Sequence, residues 1–360
     1  MKKKVALGMS GGVDSSLAAH LLVEAGHEVT GVYLECWRAP GCRTEEDRAD
    51  ALKVALDLKI PFKVLDFKEA YRDTVVEYFF TEYAAGRTPN PDVLCNKEIK
   101  FGLFYDWARA QGFDAVATGH YATIADNSLC IPADLKKDQT YFLYLLRKEQ
   151  LEHIIFPLSH LTKEVVRAEA AARKLAVAQK KDSVGICFIG DINVHNFLKD
   201  RLGENPGLVI DTQGRVIGTH QGLWFYTIGQ RHGFTIDKKT VVQHADGSHF
   251  EKENFPPFYI IKKNPEQNAL VVGFGAETYA DHFSIRDLHW IEQPQPGEQL
   301  IVRIRHLGVL VPGTLQEKSD QTATIQLAEA IQGIAEGQAA VIYTVRSERT
   351  VCLGGGIIAH

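Results

Sequence analysis

The sequence predicts an α/β protein: a parallel-sheet domain covered by helices, a small central β-rich domain, and a C-terminal all-β, barrel-like domain. Three observations carry this expectation. In the first half, short apolar runs alternate with stretches whose apolar residues recur at helical spacing, the signature of repeated βα units. Near residue 200 the pattern breaks at Asn205-Pro206-Gly207. Beyond it come short stretches that alternate at period two. The expected divisions are 1–198, 199–265 and 266–360.

Val5–Met9 is an apolar run that reads as a first strand. Ser10-Gly11-Gly12 follows as a turn, and Leu17, Ala18, Leu21 and Leu22 mark one face of a helix. Val29–Leu34 reads as a strand after a helix stop at Gly26. Thr44–Leu58 reads as a helix, with Thr44 and Asp47 spaced like a capping box. Phe62–Leu65 is a third strand, followed by a helix from about Lys68 to Ala85. Asn96–Ala110 is helical and Ala115–Thr118 is a strand ending at Gly119-His120. In the second half, Leu208–Asp211, Arg215–Thr219, Phe258–Ile261 and Ala269–Val272 read as short strands, and residues 236–256 as an exposed loop. Leu300–Arg305, Thr322–Leu327 and Ala339–Thr344 alternate as strands of a small barrel or sandwich.

The chain has 360 residues, 45% hydrophobic residues and no stretch of eighteen apolar ones, so no membrane span is expected. No apolar leader follows Met1, and six sparse cysteines, none in a Cys-x-x-Cys pair, argue against a disulfide scaffold, a zinc ribbon or an iron–sulfur site. A reducing cytoplasm is the expected location. Cys36 and Cys42 flank a Pro-Gly turn and are candidates for exposure. The net charge of −5 disfavours nucleic acid only weakly, because phosphate binding depends on local patches. Two such patches are Arg173-Lys174 with Lys180-Lys181, and Lys136-Lys137 with Arg147-Lys148.

The strand–Ser10-Gly11-Gly12-Val13-Asp14-Ser15-Ser16–helix passage suits a phosphate chain. Adjacent glycines let backbone N–H groups approach an anion, and a helix N-terminus adds its positive dipole end. No Gly-Lys-Ser/Thr follows, so it is not a Walker A loop. It resembles the PP-loop of the ATP pyrophosphatases, which split ATP into AMP and pyrophosphate. That resemblance implies a Rossmann-like PP-loop domain, with Asp14 helping to hold Mg2+ against the phosphates.

A second constellation is Gly86-Arg87-Thr88-Pro89-Asn90-Pro91-Asp92-Val93-Leu94-Cys95-Asn96-Lys97. Two prolines make it stiff, and it leads into a helix, which places Cys95 near a helix N-terminus where a thiol pKa falls. An unperturbed thiol is only a few per cent thiolate at pH 7. By residue type alone Cys95 equally suits a buried structural cysteine, and Cys187, in Gly185-Ile186-Cys187-Phe188-Ile189, suits a core position.

These segments, with Ala-Thr-Gly-His-Tyr (117–121), Lys-Asp-Gln (137–139), Tyr-Thr-Ile-Gly-Gln-Arg (226–231) and Cys-Leu-Gly-Gly-Gly-Ile-Ile (352–358), occur in order over essentially the whole chain. Together they resemble the bacterial tRNA-specific 2-thiouridylase family. The resemblance implies sulfur transfer to the 2-position of the wobble uridine in tRNAs for lysine, glutamate and glutamine, after ATP adenylates the 2-carbonyl oxygen. It implies an ATP site at Gly8, Met9, Ser10, Gly11, Gly12, Val13, Asp14 and Ser15, with Leu34 and Gly119. It makes Cys187 the persulfide carrier, Cys95 the nucleophile and Asp92 the acid/base group, and it leaves a transient Cys95–Cys187 disulfide. Asn90, Pro91 and Asp92 would meet the target base, and Lys137, Asp138, Gln139, Arg305 and His306 would meet the tRNA. A cysteine desulfurase or sulfur-relay protein would supply sulfur. Leu34, Val184 and His306 depart from the family pattern.

Rival readings explain less. A PP-loop ligase for a small substrate gives the two cysteines no task. A 4-thiouridine or 2-thiocytidine enzyme calls for an added RNA-binding module or a Cys-x-x-Cys cluster. A non-catalytic tRNA-binding protein leaves Asp14, Asp92, Cys95 and Cys187 unexplained.

Overall fold

The computed structural model describes residues 2–37, 44–182, 193–237, 257–316 and 319–359. Strands β1 (Lys4–Gly8), β2 (Glu28–Glu35), β3 (Phe62–Asp66) and β4 (Ala115–Ala117) form a parallel sheet in the order β3-β2-β1-β4. A hairpin of β5 (Thr123–Ala125) and β6 (Ser128–Cys130) intervenes, and β7 (Ile154–Ile155) then adds to the edge beside β4, again parallel. Helices cover both faces, which explains why β1 is apolar at every position between its charged and glycine ends. Val5 and Leu7 face one core with Leu17, Ala18 and Leu22. Ala6 faces the other with Tyr71, Phe79, Cys95 and Phe104.

Helix α1 (Val13–Glu24) starts directly after Gly12, and α2 (Thr44–Asp57) covers the same face as α1. The expected Thr44–Asp47 capping pair gives way to longer-range bonds: Thr44 donates its hydroxyl to the Trp37 carbonyl, and Asp47 accepts from Lys180. Helix α3 spans residues 68–84 and α4 spans 91–110, both with a π-helical stretch. Helix α5 (Lys163–Ala172) is capped by Thr162, whose side chain accepts from the Val165 N–H. Helix α6 (Val194–Leu202) closes the first half.

The central sheet has the order β10-β9-β8-β12-β11, from β8 (Gly207–Ile210), β9 (Val216–His220), β10 (Thr235–Ile236), β11 (Tyr259–Asn264) and β12 (Ala269–Gly273). β11 and β12 pair antiparallel, so the 265/266 division expected from the sequence falls inside a hairpin. Most of the loop expected at 236–256 lies outside the described residues. The last part is a closed antiparallel barrel, β13-β16-β15-β14-β17-β18, formed by β13 (Tyr279–Trp290), β14 (Leu300–Arg303), β15 (Val311–Gln316), β16 (Thr322–Gln332), β17 (Ala339–Arg346) and β18 (Arg349–Ala359), with β13 pairing β18 to close the ring. The hairpin β5–β6 attaches to β18 through Cys130 opposite Val351 and so ties the first domain to the barrel. No helix among the described residues is long and apolar enough to cross a membrane.

Candidate active site

The Ser10–Ser16 loop lies at the carboxyl end of β1, in the middle of the parallel sheet, where ligands bind in open α/β folds. Gly11 adopts φ +74°, and a Cβ there would sit 2.0 Å from the Asp47 carbonyl oxygen, so only glycine fits. Gly119, just after β4, packs against the start of α1: a Cβ would lie 2.8 Å from the Ser15 nitrogen. Two of the loop serines shape it from within. Ser15 Oγ accepts from the Ser10 N–H and donates to the Gly12 carbonyl, both at 3.2 Å, and Ser16 Oγ donates to the same carbonyl at 2.8 Å. Ser10 is exposed. Lys180 braces the outside, donating to the Gly11 carbonyl at 2.9 Å and to Asp47 at 2.7 Å. Gly8, Met9 and Val13 carry the loop's ends, and Leu34 is buried at the end of the neighbouring β2.

Asp14 is in the first turn of α1. Its Oδ1 accepts from Lys163 Nζ and from the Tyr121 hydroxyl, and its Oδ2 accepts from Lys163, all at 2.7 Å. Burial and then the Asp14 carboxylate push the Tyr121 phenol upward, so it stays a proton donor. Lys163 also pairs with Asp182 at 2.8 Å, and Asp182 takes Lys137 at 2.8 Å and Arg167 at 2.6 Å. Burial alone would raise the Asp182 carboxyl; hydrogen bonds from Lys137 and Lys163 outweigh it and hold it at about 2. Lys163 and Asp182 escaped the sequence reading. The signal that could have found Lys163 is local: it opens α5 behind the Thr162 cap, with Val166 and Ala170 buried one turn apart.

His120 follows Gly119 and is buried, its pKa driven well below 6.5 by burial and then by Lys100. The Lys100 ammonium lies 3.4 Å from Nε2 and has only protons to offer, so Nε2 accepts. The ring proton then sits on Nδ1, 2.7 Å from Thr118 Oγ1.

The Pro-rich segment behaves as a helix start. Asn90 is the cap, with its Oδ1 accepting from the Val93 N–H, and Pro91 takes the first helical position, where its missing N–H costs nothing. The helix therefore begins five residues earlier than the sequence suggested. Cys95 lies past the first turn, its own N–H already directed to Pro91, and its side chain is buried with Leu34 and Cys36 in one core. The dipole argument for a lowered thiol pKa weakens accordingly, because that effect is confined to the first turn. Asp92 is half-buried in that first turn. Cys187 and the Ser183–Gly190 run lie outside the described residues, as does Cys42. Cys36, expected at an exposed turn, is buried. Burial pushes the thiols of Cys130 and Cys352 up, which makes them poor nucleophiles.

The expected tRNA contacts divide. Arg305 is exposed. His306 is half-buried, with its ring centroid 4.3 Å from that of Phe142, and burial lowers its pKa. Gln139 accepts from the Tyr121 N–H, and Lys137 is held by Asp182. Asp138, expected to touch RNA, is wholly buried and pairs with Arg303 of the barrel, so its carboxylate is engaged inside the protein. The two basic patches are likewise largely neutralised. Arg173 pairs with Glu24 and Glu169, Lys180 with Asp47 and Asp50, Arg147 with Glu149, and Lys148 with Glu292. Lys136 and Lys174 stay exposed.

Family models match along the chain: a tRNA methyl transferase HUP domain over residues 3–191, a tRNA methyl transferase PRC-barrel domain over 195–274 and an aminomethyltransferase beta-barrel domain over 280–358. The tRNA-specific 2-thiouridylase MnmA of Shewanella sp. (strain MR-4) is 39% identical over 371 residues, covering 99% of this chain and 96% of that protein. The proteins of the same name from Lacticaseibacillus paracasei and Listeria monocytogenes are each 40% identical over 369 residues, covering 99% of this chain and 94% of theirs. The order of the three domains accords with these matches, and the chain belongs to the tRNA-specific 2-thiouridylase family.

Proposed function

We propose that the chain converts the wobble uridine of tRNAs for lysine, glutamate and glutamine to 2-thiouridine in the cytoplasm, using ATP and a protein persulfide. The observation that carries the reading is the pairing of Gly11, after β1, with Gly119, after β4, at the carboxyl end of the sheet: a side chain at either would strike backbone, of Asp47 and of Ser15. There the loop N–H groups would take the phosphates of ATP, and Leu34 would border the adenine. A uracil carbonyl oxygen leaves poorly; as an AMP ester it leaves easily.

Mg2+ needs only one or two carboxylates beside the phosphates. Among the described residues no cluster of three His, Cys, Asp or Glu could hold a metal ion, but Asp14 Oδ2 takes one proton donor and keeps a lone pair for such an ion. When bound, the ion would offset phosphate charge.

Asn90, Pro91 and Asp92 would seat the extruded base, with Asp92 moving the proton. The Cys95 thiolate attacks Cys187 Sγ, and the S–S electron pair leaves with the terminal sulfur. That sulfur bonds C2 as AMP departs with the former carbonyl oxygen. The Cys95–Cys187 disulfide that remains is reduced by an external thiol, and a cysteine desulfurase or sulfur-relay protein reloads Cys187. Arg305, His306, Lys137 and Gln139 would meet the tRNA body; Lys137 would first exchange its Asp182 partner for a phosphate.

The test is incubation of the purified protein with ATP, Mg2+, a persulfide source and unmodified tRNA, read by nucleoside mass spectrometry. Thiouridine should form with wild type and with Cys130→Ala, and vanish with Cys95→Ala or Cys187→Ala. Full thiolation by Cys187→Ala would overturn the persulfide assignment.

A further inference from the structure

The Tyr226–Arg231 run carries part of the family resemblance, yet no step of the reaction uses it. In the structure it is a turn closed on itself. Gln230 Oε1 accepts from the Thr227 N–H at 3.1 Å, the Gln230 N–H donates to the Thr227 carbonyl at 3.1 Å, and the Tyr226 hydroxyl donates to the Gly233 carbonyl at 2.8 Å. The turn is pinned to β11, with the Gly229 N–H donating to Ile260 at 2.7 Å and the Ile260 N–H returning to Gln230 at 2.9 Å.

This rigid turn presents Thr227 to the catalytic segment. The Thr88 hydroxyl donates to Thr227 Oγ1 at 3.3 Å, across 139 residues of chain. Thr88 is buried, and its remaining polar groups are held by the barrel: its N–H donates to the Glu336 carbonyl at 2.9 Å, and its carbonyl accepts from Gln338 at 2.8 Å. Gly337 packs on Thr88 so closely that a Cβ would lie 2.9 Å from both the Thr88 nitrogen and oxygen. All three domains therefore converge on one residue. Pro89 and Pro91 follow it, so a displacement at Thr88 passes to Asn90 and Asp92 instead of dissipating in free torsions.

We propose that Thr227, acting through Thr88, is a positioning residue that sets the Asn90–Asp92 segment for reaction with the base; this rests on the reading of that segment as the base contact. Thr227→Val keeps the shape of the side chain and removes the acceptor, leaving the Thr88 hydroxyl buried without it. The turnover rate of thiolation should fall about tenfold, the change expected for one net hydrogen bond, while the KM for ATP and for tRNA stays at the wild-type value. Thr227→Ser should restore the rate. Thr88→Val should match the loss, and the double variant Thr88→Val/Thr227→Val should be no slower than either single one, because both break the same bond. A wild-type rate in Thr227→Val, a rise in KM alone, additive losses in the double variant or failure of Thr227→Ser to rescue would each overturn the proposal. If Thr227→Val does not fold, Thr88→Val against Thr88→Ser makes the same comparison from the other side of the bond. Asp92→Asn, assayed in parallel, separates the two levels: if it is inactive and Thr227→Val is normal, only the positioning role falls, whereas full activity of Asp92→Asn removes the base-contact reading beneath it.

Discussion

Asp138 offers a sharp test, because its sequence context points to RNA and its surroundings to the protein interior. Its Oδ2 accepts from Arg303 Nη1 at 2.5 Å, and its Oδ1 accepts from the Thr140 N–H at 2.9 Å and hydroxyl at 2.7 Å. Arg303 is at the end of β14 and lies over the Tyr343 ring of β17, 5.4 Å from its centroid, so this pair joins the first domain to the barrel. Removing one partner of a buried pair costs about 3–5 kcal/mol, most of it the uncompensated charge left behind. Asp138→Asn preserves the acceptor for Thr140 and removes only the charge, so the lower end, about 3 kcal/mol, applies. Amides of β14 and β17 should then exchange hydrogen about a hundredfold faster, the equivalent of that free energy in local opening. Arg303→Met alone should cost a similar amount. The double variant should cost less than the sum of the two, since it leaves no charge unmatched. An Asp138→Asn protein with unchanged exchange in β14 and β17 but weakened tRNA affinity would refute the interior role and return Asp138 to the RNA surface.

Two further outcomes follow from local physics. Lys263, on β11, has a stem that reaches solvent and an ammonium that does not; among the described residues that ammonium has no hydrogen-bond partner, and burial lowers its pKa to about 8 although Glu336 pulls the other way. Between about pH 8 and 10.5 the unfolded chain holds a proton that the fold has released, so stability rises with pH across that window, and the full penalty of burying the charge applies below it. Lys263→Met should therefore be more stable than wild type at pH 7, by up to about 3 kcal/mol, and should flatten the rise between pH 8 and 10.5; a lower urea midpoint at pH 7 would contradict this. Gly11→Ala places a methyl group 2.0 Å from the Asp47 oxygen at φ +74°, so ATP-dependent AMP release should be lost, and retention of wild-type release would show that the loop can rearrange around it.

What the sequence revealed and what it hid differ in range. The β1–loop–α1 passage was legible because an apolar strand, two glycines and a helix face are neighbours in the chain. Seven of the second-half strands were legible by alternation, but β10, β13, β15 and β18 were not: β10 is two residues long, Arg286-Asp287 breaks the apolar alternation of β13, Pro312 and Gly313 interrupt β15, and Gly354-Gly355-Gly356 interrupts β18. Pro91 misled the reading of α4, since a proline that stops a helix interior also starts one well when an asparagine stands before it. Lys163 meets Asp14 across 149 residues, and Arg303 meets Asp138 across 165. No local periodicity encodes such partners.

The charges show why this matters for function. Lys163 and Lys180 touch the PP-loop at Asp14 and Gly11, and Lys137 and Arg167 join Lys163 through Asp182. In the fold each is bonded to a carboxylate: Lys137 and Arg167 to Asp182, Lys163 to Asp14 and Asp182, and Lys180 to Asp47 and Asp50. A phosphate approaching this loop meets cations already neutralised, so its binding is an exchange of partners and gains only the difference between two ion pairs. Attraction at long range is small for the same reason. Selectivity must then come from what a carboxylate cannot imitate, the backbone N–H cradle that Gly11 and Gly119 keep free of side chains.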